Sequence, residues 1–217
     1  MNELSPQNEL SGKEAYEMRK AERRGKRAPS GGSDPARTRR IKKWSLGVAV
    51  VAIVGYLVFL IARSMIPAGE DMSRAIPIQG DNHIPVGATH EPYTSNPPTS
   101  GPHYAEPARP GFREGETIAD EHLIHSLEHG LIWISYRPDV LPEVAEALKQ
   151  FDNGLTVITE RSANDADIAV AAWGRLDSFD VGDTLSEADR VRIRDFLKRY
   201  TNRGPERIPA GQRHGGV

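Results

Sequence analysis

The chain has no cysteine. That excludes disulfides, thiolate metal ligands, dithiol redox chemistry and a cysteine nucleophile. It is also compatible with a location outside the cytoplasm. Residues 1–43 have few large apolar side chains and no sustained apolar period, so they read as a disordered tail with a short helix around 14–24. Residues 44–62 have no charge at all. The rest of the chain is net acidic, which argues against phosphate-backbone contacts there, and no nucleic-acid partner is expected.

Charge is unevenly divided. Residues 1–43 carry 12 Lys+Arg and 6 Asp+Glu, leaving 16 basic and 24 acidic residues for the remainder. The basic head leads directly into the charge-free run WSLGVAVVAIVGYLVFLIA. As a helix that run spans about 28 Å, close to the roughly 30 Å of a bilayer's hydrocarbon layer. Arg39, Arg40, Lys42 and Lys43 precede it and Arg63 follows. The heavier basic flank keeps the N-terminus in the cytoplasm. A cleaved signal peptide fits less well, because its apolar region is shorter and no small-x-small site follows Ala62. The expected organisation is a cytoplasmic tail (1–43), a transmembrane helix (44–63), a linker (64–80), an extracytoplasmic domain (81–206) and a flexible end (207–217). Membrane lipid is the partner this implies.

Three of the seven histidines lie within DEHLIHSLEHG, residues 120–130. At about 100° per residue a helix gathers His122, His125 and His129 within an arc of roughly 60°. Leu123, Ile124 and Leu127 fall opposite. The helix should bury its leucine side and turn the histidines toward a cleft or solvent. Asp120 and Glu121 suit its first turn, and Gly130 the position just past its end.

Downstream, LIWISY (131–136) reads as a buried strand. Pro142 opens a helix to about 151, with Val144, Ala147, Leu148 and Phe151 on one stripe. Strands follow at 155–159 and 168–174, expected to pair as a long-looped hairpin. Ser186 and Asp189 begin a last helix through Ile193, Phe196, Leu197 and Tyr200 with a capping-box pattern. The order after the histidine helix is β-α-β-β-α. The fold class is therefore an α/β or α+β two-layer domain with a small mixed sheet. The second half of a thioredoxin-like fold has a similar order, but this chain has no cysteine pair to support that chemistry.

His125-x-x-Glu128-His129 has a mechanism attached. Two histidines four apart on one helix face can offer two nitrogens to one divalent ion, and Glu128 can act as a base on metal-bound water. A third ligand is needed. His103 is the candidate, because the prolines of NPPTSGPHY fix much of its backbone. His122 ranks second, because it lies about 10 Å along the axis from His129. Histidine and carboxylate ligands suit Zn, Cu, Fe or Ni, with Zn or Cu expected. No Met cluster marks a Cu(I) site. Alternatively the histidines bond to loop backbone and lock the loop onto the helix, or sense pH.

The five residues resemble the inverted zinc-peptidase motif H-x-x-E-H, and the helix resembles that of S-ribosylhomocysteine lyase. The lyase draws its third ligand from a cysteine, and the peptidases take a distal glutamate that is not identifiable here. A broader resemblance rests on NPPTSGPHY, HSLEHG with its apolar strand, AAWGR, and DFLKRY…GPE. Together these are similar to a bacterial family known as domain of unknown function 3105, over about residues 80–206. The resemblance implies membrane-anchored or exported proteins and one domain containing both histidine blocks. It implies no activity, cofactor or catalytic residue. Three functions stay open: a metal-binding domain of the cell envelope, a small metallohydrolase using Glu128, and a metal-free structural or interaction domain.

Overall fold

The computed structural model describes residues 12–26 and 35–206. Of the tail expected to be disordered over 1–43, residues 1–11 and 27–34 lie outside the described residues, as does the flexible end at 207–217, whereas 35–43 are helical. Two compact units divide the chain, Met1–Phe59 and Leu60–Val217.

The first unit holds helix α1 (Gly12–Gly25) and most of α2 (Pro35–Met65). α1 falls on the short helix read at 14–24. Glu14 in its first turn and Arg23 and Arg24 in its last complement the helix dipole. α2 opens on a proline, whose missing N–H costs nothing at that position. Within its 23-residue stretch Lys43–Met65 an 18-residue window has a mean hydropathy of 2.6 and none of it is buried. That is one helix long and apolar enough to cross a membrane, at about 35 Å.

The second unit is built around β5 (Ile132–Tyr136), whose five residues are all buried. β6 (Thr156–Glu160) runs parallel to it, reached through α4 (Pro142–Leu148) and a 3₁₀ turn, Lys149–Phe151. β7 (Ile168–Ala172) runs antiparallel on the other side of β5. β8 (Arg175–Phe179) folds back on β7 through a turn that needs Gly174 at φ 66°. β4 (Gly111–Arg113) joins β6 in parallel, and β1 (Arg74–Ala75) joins β8 antiparallel. The six-stranded order is β1-β8-β7-β5-β6-β4, a mixed sheet in an α+β fold, as the element order implied.

One pairing differs from expectation. The strands at 155–159 and 168–174 do not form a hairpin with each other, because β5 lies between them. β7 is the all-apolar run IAVAA and is buried throughout, so it takes a position with neighbours on both edges. The turn-rich 161–167 segment carries the chain past the end of β5. There Arg161 N–H bonds to the Tyr136 carbonyl (2.8 Å), and Arg137 N–H to the Asp167 carbonyl (2.9 Å). β8 is an additional strand. Its buried Asp177, held by Arg192 Nε at 2.8 Å, interrupts the apolar alternation by which strands are recognised.

Helices cover both faces of the sheet. Ile132, Ile134, Ile158 and Val170 pack against Val144 and Leu148 of α4 and Ile193 and Phe196 of α5 (Glu187–Tyr200). α5 begins with the complete Ser186–Asp189 capping box. On the opposite face Trp133, Val157, Ala169 and Leu176 pack against Leu123 and Leu127 of α3 (Asp120–Glu128). The histidine helix thus forms a partial third layer. A separate parallel pair, β2 (His83–Ile84) and β3 (His103–Tyr104), sets His83 directly across from His103. The segment read as a connector is fastened to this unit: Asp195 of α5 accepts the N–H groups of Ala68 (2.9 Å) and Gly69 (2.6 Å).

Candidate metal centre

α3 is fixed at both ends. Asp120 in its first turn is held by two bonds from Arg161, Nε at 3.0 Å and Nη2 at 2.7 Å. At its C-terminus Leu131 N–H reaches the Ser126 carbonyl (3.0 Å) and Gly130 N–H the Leu127 carbonyl (2.9 Å). This Schellman closure requires a left-handed residue, and Gly130 has φ 81°. The chain therefore leaves Glu128 and His129 and enters β5 within three residues.

The proline-rich loop is pinned from both sides. Gly174 N–H donates to the Thr99 carbonyl (3.1 Å), Gly101 N–H to Gly80 (2.9 Å) and His103 N–H to Asn82 (3.1 Å). The Tyr93 hydroxyl donates to the Pro102 carbonyl (2.7 Å), and the Asn96–Pro97 peptide is cis. Gly101, at φ 119°, lies against the Tyr93 ring, where a Cβ would come within 3.0 Å. Together with β2 the loop covers the histidine face of α3. That face was expected to front a cleft or solvent; instead His125 and Glu128 are buried.

Side-chain chemistry then follows from the carbonyls. His103 Nδ1 lies 2.8 Å from the Gly101 carbonyl, and His125 Nδ1 2.7 Å from the Tyr104 carbonyl. A carbonyl can only accept, so each Nδ1 carries the hydrogen. In a neutral ring Nε2 is then a lone pair. His103 Nε2 faces Glu128 Oε2 at 3.0 Å, and His83 Nε2 stands 3.9 Å from the same oxygen. His125 Nε2 faces His129 Nε2 at 2.9 Å. The ring centroids of His83, His103 and His125 lie 4.8–5.1 Å apart. Burial, opposed by the bond to Tyr104 and reinforced by the neighbouring histidines, lowers the His125 pKa to about 4, so this ring is neutral at pH 7.

Two groupings could hold a metal ion. One is His83, His103, His125 and Glu128; the other is His125, His129 and Glu206; within each the ligand atoms lie within 4.8 Å of one another. The structure thus brings His103, His125 and Glu128 together and sets His129 in the second grouping. His122 belongs to neither: its Nδ1 donates to the Glu106 carbonyl (2.6 Å) and its ring stands edge-on to Tyr104. Sequence reasoning missed His83 and Glu206. His83 lies in DNHIPVG, with no neighbouring histidine at a ligand spacing; only the β2–β3 register brings it to His103. Glu206 lies in the GPE block and is brought back to α3 by Asn202 N–H on the Gly130 carbonyl (2.8 Å) and Glu206 N–H on Glu128 (3.2 Å). Gly204 allows this approach, because a Cβ there would sit 2.0 Å from the Glu128 carbonyl oxygen.

The family model described as Protein of unknown function (DUF3105) matches residues 83–213. The chain belongs to that family. His83 is the first residue of the matched segment, and Glu206 also lies inside it, so the family's domain contains both groupings. No curated protein and no solved structure matches the chain.

Proposed function

We propose that the chain is a single-pass membrane protein with its N-terminus in the cytoplasm and an extracytoplasmic domain that binds one divalent transition-metal ion. The ligands are His83, His103, His125 and Glu128, and the occupant is zinc or copper. The observation that carries this reading is the facing of acceptors. His103 and His125 spend their N–H groups on backbone carbonyls, so their remaining nitrogens bring lone pairs to a pocket that also holds a carboxylate. Lone pairs and a carboxylate at 3.0 Å repel unless a proton or a cation lies between them. Nitrogen and oxygen ligands on one ion at about 2.1 Å each stand about 2.9–3.4 Å apart, and the His103–Glu128 separation fits that range. The carbonyl bonds also act as the outer partners that fix ring orientation in metal sites. Topology rests on the basic flank before the apolar helix.

Glu128 lies against His103 as a ligand would, which favours binding over the metallohydrolase suggested by the H-x-x-E-H spacing. The test uses the full-length chain in detergent, loaded with Zn²⁺ and freed of excess. Wild type should retain about one ion per chain, and His125→Ala none. Equal zinc in both would sink the site. Glu128→Gln should lose most of its zinc; retained zinc with a lost hydrolytic activity would favour the enzyme instead.

A further inference from the structure

The second grouping has a different character from the first, and the two share one residue. His103 is 0% exposed, whereas His129 and Glu206 have side chains 12% and 53% exposed. His129 Nε2 stands 2.9 Å from His125 Nε2 and 3.1 Å from Glu206 Oε2. Both separations fit the coordination sphere of one ion at about 2.1 Å per bond. His125 has a single nitrogen to give, because its Nδ1–H is committed to the Tyr104 carbonyl. An ion held through His125 therefore lies on one side of it or the other. Two ions cannot share it.

We propose that His129 and Glu206, with His125, form an outer position for the same ion, and that His125 passes the ion between this position and the buried one at His103 and Glu128. This rests on the metal-binding reading above and adds a route to it. The outer ligands are near enough to solvent to take an ion that still carries water, and Glu206 supplies the charge that attracts it. Of the inner ligands His103, His125 and Glu128 are buried, and carbonyl bonds orient the His103 and His125 rings, so the inner position holds the ion more tightly. Movement between the two exchanges His129 and Glu206 for His103 and Glu128 while one nitrogen stays bound. No step then needs a fully stripped ion. Glu206 reaches the site only because the 202–206 segment is bonded to the Gly130 and Glu128 carbonyls, so the outer position is part of the same construction as the end of α3. His83 also has a half-exposed ring, but it belongs to the inner grouping. Its removal should weaken retention rather than slow uptake alone.

The experiment follows Zn²⁺ uptake and release by the full-length chain in detergent, by stopped flow against a chelating indicator, with equilibrium occupancy measured separately. Glu206→Gln should slow both uptake and release about tenfold while leaving about one zinc per chain at equilibrium. His83→Ala should lower equilibrium occupancy and speed release. Unchanged rates in Glu206→Gln would overturn the proposal, as would loss of all zinc in that variant, since Glu206 would then be an ordinary ligand of a single site. A stoichiometry of two ions in wild type would overturn it too. A wild-type chain that takes up no zinc would overturn the metal-binding reading and this inference together.

Discussion

At the scale of the residue, the seven histidines are not equivalent. His90 lies outside both groupings and pairs with Glu121 at 3.2 Å. Its bond to the Glu91 carbonyl raises its pKa, burial lowers it, and the bond to Glu121 raises it again, for a net rise. A raised histidine stabilises the fold fully below its unfolded pKa of about 6.5 and loses that contribution as pH climbs through the folded value. In an NMR titration His90 should show a midpoint above the ordinary value and fall toward it in Glu121→Gln. An unchanged midpoint in that variant would refute the pair. His125 has the opposite sign. Its pKa is depressed to about 4, so the unfolded chain takes up a proton near pH 6.5 that the folded chain refuses. The metal-free protein should therefore lose stability as pH falls from about 6.5 toward 4. Denaturant melts at pH 7 and pH 5 should show this drop in wild type and a smaller one in His125→Gln.

At the scale of the element, two joints carry weight. Gly130 closes α3 in a left-handed conformation, and a Cβ there would lie 2.8 Å from Asn202 Cα. Gly130→Ala should cost about 1–3 kcal/mol, read as a lower Tm, because backbone strain and collision act together. Asp195 is the other joint. Burial pushes its carboxyl up, but the Ala68 and Gly69 N–H groups, with Lys198 and Arg199, outweigh burial and hold it below the usual range. Its stabilising effect is present above pH 4 and is lost as pH falls through the depressed value. Asp195→Ala should free the 66–73 segment, seen as faster amide exchange there than in wild type. Elements with a single clear period were legible in the sequence: α3, β5, α4, β6 and α5 all fall where spacing and capping put them. What was hidden depends on distance along the chain. The insertion of β5 between β6 and β7 is a tertiary choice made by burial, and no local pattern records it. His103, His125 and Glu128 could be grouped from spacing and loop rigidity. His83 and Glu206 could not, since one arrives through a two-residue strand pairing and the other through a segment that returns some 75 residues after α3.

At the scale of the whole molecule, the absence of cysteine becomes a tool. Any cysteine introduced is the only one in the chain. With the proposed topology, a membrane-impermeant maleimide applied to intact cells should label Glu143→Cys, exposed on α4, and leave Glu17→Cys, exposed on α1, unlabelled until the cells are opened. The reverse pattern would invert the orientation. The contact between His103 Nε2 and Glu128 Oε2 has a further consequence. Whenever no cation lies between these two acceptors, a proton must. Under the proposed metal-binding reading, filling the inner position would exchange one cation for one hydrogen ion delivered to the surrounding solution. Loading would be a counter-trade, easier in alkaline surroundings and reversed by acid. Its stoichiometry can be counted by titration calorimetry in buffers of different ionisation heat.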